Sequence, residues 1–442
     1  MENIKQNTMK EKIGVIGLGY VGLPLACLFA EKYEVTGYDV SMRRVEALKT
    51  CNDKNFMLTE GELKSAFDKG MRVTCDMRQL KSCDVYIVAV PTPCDSHNIP
   101  DLTYLVQASR QLGAVITKGN VVIYESTVYP GVTEEVCLPI IEEMSGLKFN
   151  EDFFAGYSPE RINPGDTEHF VANVVKVTSG STPETAQRVN ALYGSVLSNG
   201  TFMVSSMKVA EMVKVMENAQ RDVNIAFMNE MSMIAGKMDI DMGEVMAAMR
   251  TKWNALPFTP GLVGGHCISV DPYCLIDCAR SHDLEARLLV EARNVNEFTS
   301  RYVALCVISA MSENGVVAKA AHVLVLGFAF KEDTPDFRNT KVIDVVKTLR
   351  QHGCLVTICD PWVDTEEVKS RHGLDIVGDY HLVTGNKYDA VILCVRHHQW
   401  KDMDVRQLLK PTGVAYSVKK GGFLTRRNLK ESEYNITFSQ TR

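Results

Sequence analysis

The stretch KIGVIGLGYVG, residues 12–22, decides the fold of this chain. Its first half is a short apolar run typical of a buried strand, and its second half spaces Gly17, Gly19 and Gly22 as G-x-G-x-x-G before a helical pattern. The first glycine permits a tight turn, the second lets a pyrophosphate approach the backbone, and the third lets the helix pack on the strand. The stretch therefore predicts a dinucleotide-binding unit with Tyr20 and Val21 in its loop.

An acidic residue follows at the distance that such a unit requires. Asp39 ends the next apolar run, where its carboxylate can accept hydrogen bonds from a ribose and repel a 2′-phosphate. This favours NAD over NADP as the cofactor, although two cations, Arg43 and Arg44, lie close behind. We count Arg44 among the candidate cofactor-binding residues.

Apolar runs at 84–90 and 121–125 continue the alternation of strands with helical patterns. Thr92 follows the first run and Thr127 follows the second, where loops at the carboxyl ends of parallel strands line a ligand crevice. We therefore expect both threonines in the cofactor cleft of a first domain over residues 1–204.

The pattern then changes twice. Helical spacing of apolar residues fills a middle section over 205–314, and strands alternate with helices again over 315–442. The first strand of this last region is followed by Gly327-Phe328-Ala329-Phe330, which lacks the glycine spacing of a dinucleotide site. The sequence thus predicts an α/β fold of two doubly wound Rossmann-like domains joined by an all-helical middle section, and the second domain binds a ligand other than NAD.

Composition bounds the class of protein. The 442 residues are 45% hydrophobic and 23% charged, as in a globular protein of two or three domains. A formal charge of -6 gives no basic field for nucleic acid or an anionic membrane, and no apolar run is long enough to span a bilayer. The thirteen cysteines form no C-x-x-C pair, which is typical of reduced thiols. We expect a cytoplasmic protein without nucleic-acid or membrane partners.

One cysteine stands apart from the others. Cys267 follows Gly264-Gly265-His266 and precedes Asp271 by four residues. Glycines give the backbone the freedom to present a thiol into a cleft, and a thiol beside a hydride acceptor suggests oxidation beyond the aldehyde. A buried, inert thiol is the default for any cysteine, but the flanking glycines and Asp271 favour a nucleophile here.

The first helix of the middle section carries polar residues on one face and apolar residues on another. Lys214, Asn218 and Arg221 are spaced i, i+4 and i+7, which fits either a solvated charged stripe or a face turned to a substrate. The apolar stripe fits a core or a subunit interface, and we expect a homodimer through these helices. Its members are Met212, Val215, Met216, Ala219, Val223 and Phe227.

Two further features concern anions and metals. Lys331 and Arg338 flank a loop before a helical pattern near Thr340, so this loop is either an anion site or an ordinary charged surface. His397-His398 has no companion ligands at metal spacing, and we predict no metal.

Taken in order, these motifs resemble the UDP-glucose/GDP-mannose dehydrogenase family across nearly the whole chain. Besides the glycine loop and Asp39, the matching segments are Glu125-Ser126-Thr127-Val128, Tyr157-Ser158-Pro159-Glu160-Arg161, Lys214 with Asn218, Gly264-Gly265-His266-Cys267 with Asp271, and Phe330-Lys331 with Arg338.

The resemblance implies an NAD-dependent, four-electron oxidation of the C6 alcohol of a UDP-sugar to a carboxylate. Cys267 would capture the aldehyde as a thiohemiacetal, and a second oxidation would give a thioester that water hydrolyses. Lys214 and Asn218 would stabilise oxyanions, while Glu160 and Asp271 would move protons and position water. The implied substrate-binding residues are Arg161, Ile162, Lys214, Asn218, Arg221, Gly264, Lys331 and Arg338, with Arg338 or residues near Lys252 reaching across a dimer interface.

Three segments resemble one branch of the family, which oxidises UDP-N-acetylhexosamines, UDP-GlcNAc or UDP-GalNAc, for capsule, Vi-type or O-antigen polysaccharides. These segments are residues 257–263, 330–336 and 360–364. Pro164 stands where the UDP-glucose branch usually has a second glutamate, which argues against glucose. Residues 416–421 lack the acid that often precedes Lys-Gly in the family.

Other functions remain open on the sequence. The substrate could instead be UDP-glucose or UDP-ManNAc. A two-electron dehydrogenase of the 6-phosphogluconate or 3-hydroxyacyl type shares a dinucleotide domain followed by helices, and would form one NADH per substrate rather than two. A non-catalytic NAD-responsive binding protein would form none.

Overall fold

The computed structural model of the chain describes residues 11–55, 57–95, 97–161, 171–400, 403–420 and 422–424. These residues fall into two compact units. The first lies within Met1–Glu217 and Tyr273–His282, and the second within Asn218–Pro272 and Asp283–Arg442.

An eight-stranded sheet forms the core of the first unit. Its strands are β1 (Lys12–Ile16), β2 (Glu34–Tyr38), β3 (Arg72–Thr74), β4 (Val85–Val88), β5 (Val121–Tyr124), β6 (Phe154–Tyr157), β7 (Lys176–Gly180) and β8 (Thr201–Met203). Their order is β3-β2-β1-β4-β5-β6-β7-β8, and every neighbouring pair is parallel except β6 with β7. The order reverses between β1 and β4, which places a ligand crevice at the carboxyl ends of these strands.

Helices cover both faces of this sheet, as the apolar strands require. Strands β4 and β5, VYIV and VVIY, are buried at every residue, the pattern of a parallel sheet shielded on both sides. Polar caps start several helices, including a capping box in which Thr59 and Glu62 bond reciprocally. The helices are α1 (Gly22–Ala30), α2 (Met42–Lys49), α3 (Glu60–Asp68), α4 (Thr103–Gly113), α5 (Leu138–Ser145) and α6 (Pro183–Gly194).

Four helices make up the middle of the chain. They are α7 (Met207–Lys237), α8 (Met242–Arg250), α9 (Asp271–Ser281) and α10 (Arg287–Glu313). The expected apolar stripe of α7 is divided, because Val215 and Ala219 are buried whereas Met212, Met216 and Phe227 are exposed.

A second sheet forms the core of the other unit. Its strands are β9 (His322–Leu326), β10 (Leu355–Cys359), β11 (Ile376–Val377), β12 (Tyr388–Leu393), β13 (Leu409–Ser417) and β14 (Gly422–Leu424). The order is β11-β10-β9-β12-β13-β14, parallel except for β14. The helices between these strands are α11 (Val342–Gln351), α12 (Thr365–His372) and α13 (His381–Thr384).

The two sheets repeat one arrangement of strands and turns. The order of the first five strands of each sheet is the same, and a positive-φ glycine directly follows each central strand: Gly17 follows β1 and Gly327 follows β9. After Gly17, the Leu18 amide donates to Asp39 Oδ2 at 3.0 Å. After Gly327, the next amide donates to Asp360 Oδ2 at 2.6 Å. Both halves are thus Rossmann-like, as the sequence predicts, with a helical section between them.

Several short strands were not predicted. They are β3, β6, β7 and β8 of the first sheet and β11 and β14 of the second, of two to five residues each. The predicted strands begin and end within a few residues of those found, and the segment over 257–270 has neither helix nor strand.

Candidate functional site

The glycine loop after β1 has the geometry of a pyrophosphate-binding turn. Gly17 has φ +92°, and a Cβ on Gly22 would lie 1.9 Å from the Gly17 carbonyl oxygen, so both positions require glycine. A Cβ on Gly19 would meet nothing within 4 Å, which leaves open space beside the loop backbone. Tyr20 and Val21 are half-buried in the same turn. The loop therefore fits a bound dinucleotide.

Asp39 and the nearby Arg44 have different roles. Asp39 accepts from the amides of Leu18 and Ser41, at 3.0 and 2.9 Å, and each oxygen retains a lone pair for a ribose hydroxyl. Arg44 Nε donates to the Leu18 carbonyl at 2.9 Å, and its Nη1 lies 2.8 Å from the buried Asp53. Arg44 therefore anchors the glycine loop, and Asp53 neutralises the charge that would attract a 2′-phosphate.

The loops after β4 and β5 bond to one another. Ser126 Oγ donates to the Val90 carbonyl at 2.7 Å and accepts from the Val90 amide at 3.0 Å. Thr92 Oγ1 donates to the Thr127 carbonyl at 2.6 Å. The two predicted crevice-lining threonines are thus brought together at the carboxyl edge of the sheet.

Glu160 and Arg161 follow β6 at the same edge. Glu160 is only 8% exposed. Arg161 Nη1 donates to the Val175 carbonyl at 2.8 Å, and Nη2 pairs with Glu217, a partner that the sequence did not indicate. Ile162 lies outside the described residues. Arg161 is therefore held by contacts within its own unit.

Lys214 is buried on α7, about one helical turn after Glu211, which like Glu160 is a buried acid. Glu211 accepts from the Gly131 and Thr133 amides at 2.6 and 3.0 Å and from the Thr133 hydroxyl at 2.6 Å. Burial raises the pKa of Glu211 to about 7, against these hydrogen bonds. Glu211 thus fixes the helix that carries Lys214 to the chain that follows the Thr127 loop.

The thiol loop is organised around an exposed Cys267. The Cys267 carbonyl accepts from the Asp271 amide at 2.8 Å, which closes one helical turn before α9. Gly265 has φ +88°, and its carbonyl accepts from Ser269 Oγ at 2.7 Å. Asn218 Nδ2 donates to Asp271 Oδ2 at 2.5 Å. Three predicted catalytic residues, Cys267, Asn218 and Asp271, therefore share one bonded segment.

The chain entering this loop is held by a residue that the sequence analysis missed. Asn229 accepts from the Gly261 amide at 2.8 Å and donates to the Gly261 carbonyl at 3.0 Å. On the same helix, the buried Asp222 pairs with Arg293 at 2.6 Å, whereas Arg221 is exposed. Asn229 lies eleven residues after Asn218, three helical turns further along the same face of α7, and that spacing was the available signal.

The residues just before the thiol pack against the 330–340 segment. A Cβ on Gly264 would lie 2.6 Å from the Asn339 carbonyl oxygen. His266 Nε2 lies 2.7 Å from Asp336 Oδ2, which also accepts from Arg338 Nη2 at 2.7 Å. Although burial alone would raise it, these hydrogen bonds hold the pKa of Asp336 far below its ordinary value. His266 is therefore a partner of Asp336 and contributes to loop packing.

A pocket in the second unit has a cationic lining. Lys331, Lys341 and Lys419 line it, together with Glu332 and residues from the thiol loop. Lys419 pairs with Glu332, and Lys341 pairs with Glu297. Lysines around a concave surface suit a diphosphate. Lys419 belongs to the segment where the family's usual acid is missing, and its charge lies at this pocket.

Three further observations concern metal ligands, membrane-spanning helices and disulfides. Within the described ranges, no cluster of three or more His, Cys, Asp or Glu residues could hold a metal ion. None of the helices that the structure describes has the length and apolar character needed to cross a membrane. None of the thirteen cysteines, all of which lie in the described ranges, forms a disulfide.

Comparison with known proteins assigns the class. The NAD binding domain of the UDP-glucose/GDP-mannose dehydrogenase family matches residues 11–197, its central domain matches 208–298, and its UDP binding domain matches 324–419. The chain therefore belongs to the UDP-glucose/GDP-mannose dehydrogenase family. It is an NAD-dependent nucleotide-sugar dehydrogenase.

The chain is also similar to individual proteins of the family. The chain is 46% identical over 411 residues to UDP-N-acetyl-D-glucosamine 6-dehydrogenase of Salmonella typhi, covering 92% of this chain and 96% of that one. It is 45% identical over 413 residues to protein CapL of Staphylococcus aureus, covering 93% and 96%. The solved UDP-D-ManNAc dehydrogenase of Pyrococcus horikoshii superposes with a TM-score of 0.83 at 29% identity, covering 93% and 99%.

Proposed function

We propose that this protein oxidises C6 of a UDP-N-acetylhexosamine, with UDP-GlcNAc as the first candidate, to the UDP-uronic acid for surface polysaccharide synthesis. Relatives at 46% and 47% identity are named UDP-N-acetyl-D-glucosamine 6-dehydrogenases, whereas two named UDP-N-acetyl-D-mannosamine dehydrogenases are 34% and 32% identical. The observation that carries the proposal is the exposed Cys267 thiol on a turn closed by Asp271, which in turn bonds Asn218.

The cofactor is NAD, which accepts the hydrides that leave the substrate carbon. The residues proposed to hold it are those of the glycine loop, Gly17 to Gly22, with Asp39 at the adenosine ribose and Thr92 and Thr127 in the crevice. Arg44 acts indirectly, because it fixes the Leu18 carbonyl within the loop.

The covalent steps use the thiol loop. The Cys267 sulfur, as thiolate, attacks the aldehyde carbon, and the oxyanion that forms is stabilised by Lys214 and the Asn218 amide. After removal of a second hydride, the product is a thioester. Water attacks its carbonyl, the C–S bond breaks, and the carboxylate leaves with the thiol regenerated. The covalent bond keeps a reactive aldehyde on the protein between the two oxidations.

Two carboxylates are proposed for proton transfer. Asp271 is 3% exposed and fixed by Asn218, so it suits orientation of water at the thioester. Glu160 is 8% exposed and follows β6 at the ligand-binding edge of the first sheet, so it suits proton removal from the C6 hydroxyl. Both carboxylates are candidates for the general base. The kcat–pH profiles of a variant at Asp271 and of a variant at Glu160, measured separately, assign the two roles.

The substrate is proposed to bind through the second unit. The UDP diphosphate would be met by Lys331 and Lys419 in the cationic pocket, with Gly264 at its rim and Arg338 nearby. Arg161 and Arg221 supply further contacts. Pro164, which argues against glucose, lies outside the described residues.

A homodimer and a cytoplasmic location complete the proposal. Large apolar side chains of the middle helices are exposed, including Met216 at 60%, Phe227 at 53% and Leu288 at 68%. Such side chains on one helical section are typical of a subunit interface. Thirteen cysteines without a disulfide suit a reducing compartment.

The test is an assay with a substrate panel. Purified protein is incubated with NAD and UDP-GlcNAc, UDP-GalNAc, UDP-ManNAc or UDP-glucose, while NADH absorbance and UDP-uronate are followed. We expect two NADH per UDP-sugar, with kcat/KM highest for UDP-GlcNAc. One NADH per substrate would support the two-electron class, and none with any UDP-sugar would contradict the proposal.

A further inference from the structure

A lysine ammonium is buried at the edge of the first sheet. Lys176 begins β7, and only 2% of its side chain is exposed. Its Nζ donates to Glu125 Oε2 at 2.6 Å and to the Pro159 carbonyl at 2.8 Å. Nζ also lies 5.4 Å from the centroid of the Tyr193 ring, and the Tyr193 hydroxyl donates to the other oxygen of Glu125. A carboxylate, a carbonyl and an aromatic face thus hold one buried cation.

These contacts join the ends of three neighbouring strands. Glu125 directly follows β5, Pro159 lies two residues after the end of β6, and Lys176 opens β7, which runs antiparallel to β6. All three therefore lie at the carboxyl edge of β5 and β6, where open α/β sheets bind ligands. The residue after Pro159 is Glu160, and the residues after Glu125 form the Ser126–Thr127 loop.

The cluster is poorly explained by stability alone. The desolvation of two buried charges offsets much of their attraction, and an apolar pair of similar volume is often as stable. Electrostatics link the cluster to its neighbour instead. The pKa of Glu125 is raised to about 7, because burial and the charge of Glu160 raise it by more than Lys176 and the hydrogen bonds to Glu125 lower it. Glu160 is therefore coupled to the cluster through space as well as through the Pro159 backbone.

We propose that Lys176, held by Glu125 and Tyr193, is a positioning residue for Glu160. By holding the carbonyl of the preceding residue, the ammonium fixes the backbone from which the Glu160 side chain extends. The inference rests on the proposed acid–base role of Glu160. Lys176 itself makes no contact with substrate in this account.

The test is a double-mutant cycle. Glu125→Gln/Lys176→Met removes both charges at nearly constant volume, so no lone charge is left buried. We expect kcat to fall by about tenfold or more, with KM for NAD and for the UDP-sugar changed by less than about threefold. Glu160→Gln should abolish one limb of the wild-type kcat–pH profile. In the Glu125→Gln/Lys176→Met variant the same limb should be displaced along the pH axis. When Glu125→Gln/Lys176→Met is added to Glu160→Gln, kcat should fall no further than in Glu160→Gln alone.

Two controls keep the result interpretable. Glu11→Gln/Arg188→Met removes a 2.7 Å ion pair of the same unit, about a third exposed, and should leave kcat and its pH profile unchanged. If the double variant fails to fold, Tyr193→Phe removes only the hydroxyl that fixes Glu125 and should displace the same limb.

The outcomes separate the two proposals. A wild-type pH profile and kcat in the folded double variant, or losses that multiply with those of Glu160→Gln, would overturn the role of Lys176. A Glu160→Gln variant with wild-type kcat would overturn the acid–base role of Glu160 and the positioning role with it.

Discussion

Asn218 Nδ2 donates a 2.5 Å hydrogen bond to Asp271 Oδ2, and the Asp271 amide donates to the Cys267 carbonyl at 2.8 Å. The carboxylate proposed to orient water is therefore bonded both to the proposed oxyanion donor and to the backbone of the nucleophile. One hydrogen-bonded segment fixes all three groups, so a change at Asp271 should affect chemistry more than ligand binding.

Asp271→Asn should lower kcat by about a hundredfold, because the variant loses a carboxylate able to accept a proton. KM for both ligands should change little. The check is steady-state NADH formation with saturating UDP-sugar. Asp277→Asn on the same helix is the matched control, since Asp277 forms a 3.8 Å pair with Arg280, outside the segment that carries Cys267. A kcat within threefold of wild type for Asp271→Asn would contradict this role.

Two glycines of one loop should respond differently to alanine. Gly19→Ala places its methyl group in open space, so the protein should fold normally but bind NAD about tenfold more weakly, because the methyl group keeps the pyrophosphate from the backbone. Gly22→Ala places a Cβ 1.9 Å from the Gly17 oxygen and should lower stability by about 2 kcal/mol or more. Urea unfolding and NAD titration measure the two effects. Equal losses of stability in Gly19→Ala and Gly22→Ala would contradict the loop geometry described above.

The buried Glu211 predicts a pH dependence of stability. Its pKa is raised from 4.5 to about 7, so the folded state binds the proton more tightly than the unfolded chain. Its contribution is therefore fully present below about pH 4.5 and is lost as pH rises to about 7, a change on the order of 3 kcal/mol. Urea unfolding at pH 5 and pH 8 should show a smaller difference for Glu211→Gln than for wild type. An equal difference in the two proteins would refute the shift.

The cationic pocket predicts a loss specific to the sugar nucleotide. Lys419→Met should raise KM for the UDP-sugar by about tenfold, the loss of one charge-assisted hydrogen bond, and leave KM for NAD unchanged. Lys347→Met on α11 is the control, because Lys347 is exposed, pairs with Asp344 at 3.9 Å and does not line the pocket. Equal effects of the two variants would place the diphosphate elsewhere.

Much of the fold could be predicted because buried parallel strands are apolar runs separated by helical patterns. β6 and β7 could not, because FAGY and KVTSG are short and contain glycine or polar residues whose places are set by neighbouring strands. The site residues were predicted as individual motifs, but their contacts were not. Asn218 and Asp271 are 53 residues apart, and Glu125 and Lys176 are 51 apart, so only the folded chain shows each pair. The lone lysine among the valines of 174–177 was a signal, since an ammonium in such a strand needs a partner.

The Cys267 sulfur is proposed to carry the substrate between its two oxidations. The most direct measurement is the rate at which Cys267→Ser forms UDP-uronate from UDP-GlcNAc and NAD, with binding of both ligands checked by titration. We predict that the variant binds both ligands with near wild-type affinity and fails to complete acid formation. Uronate formation at the wild-type rate would remove Cys267 as the nucleophile.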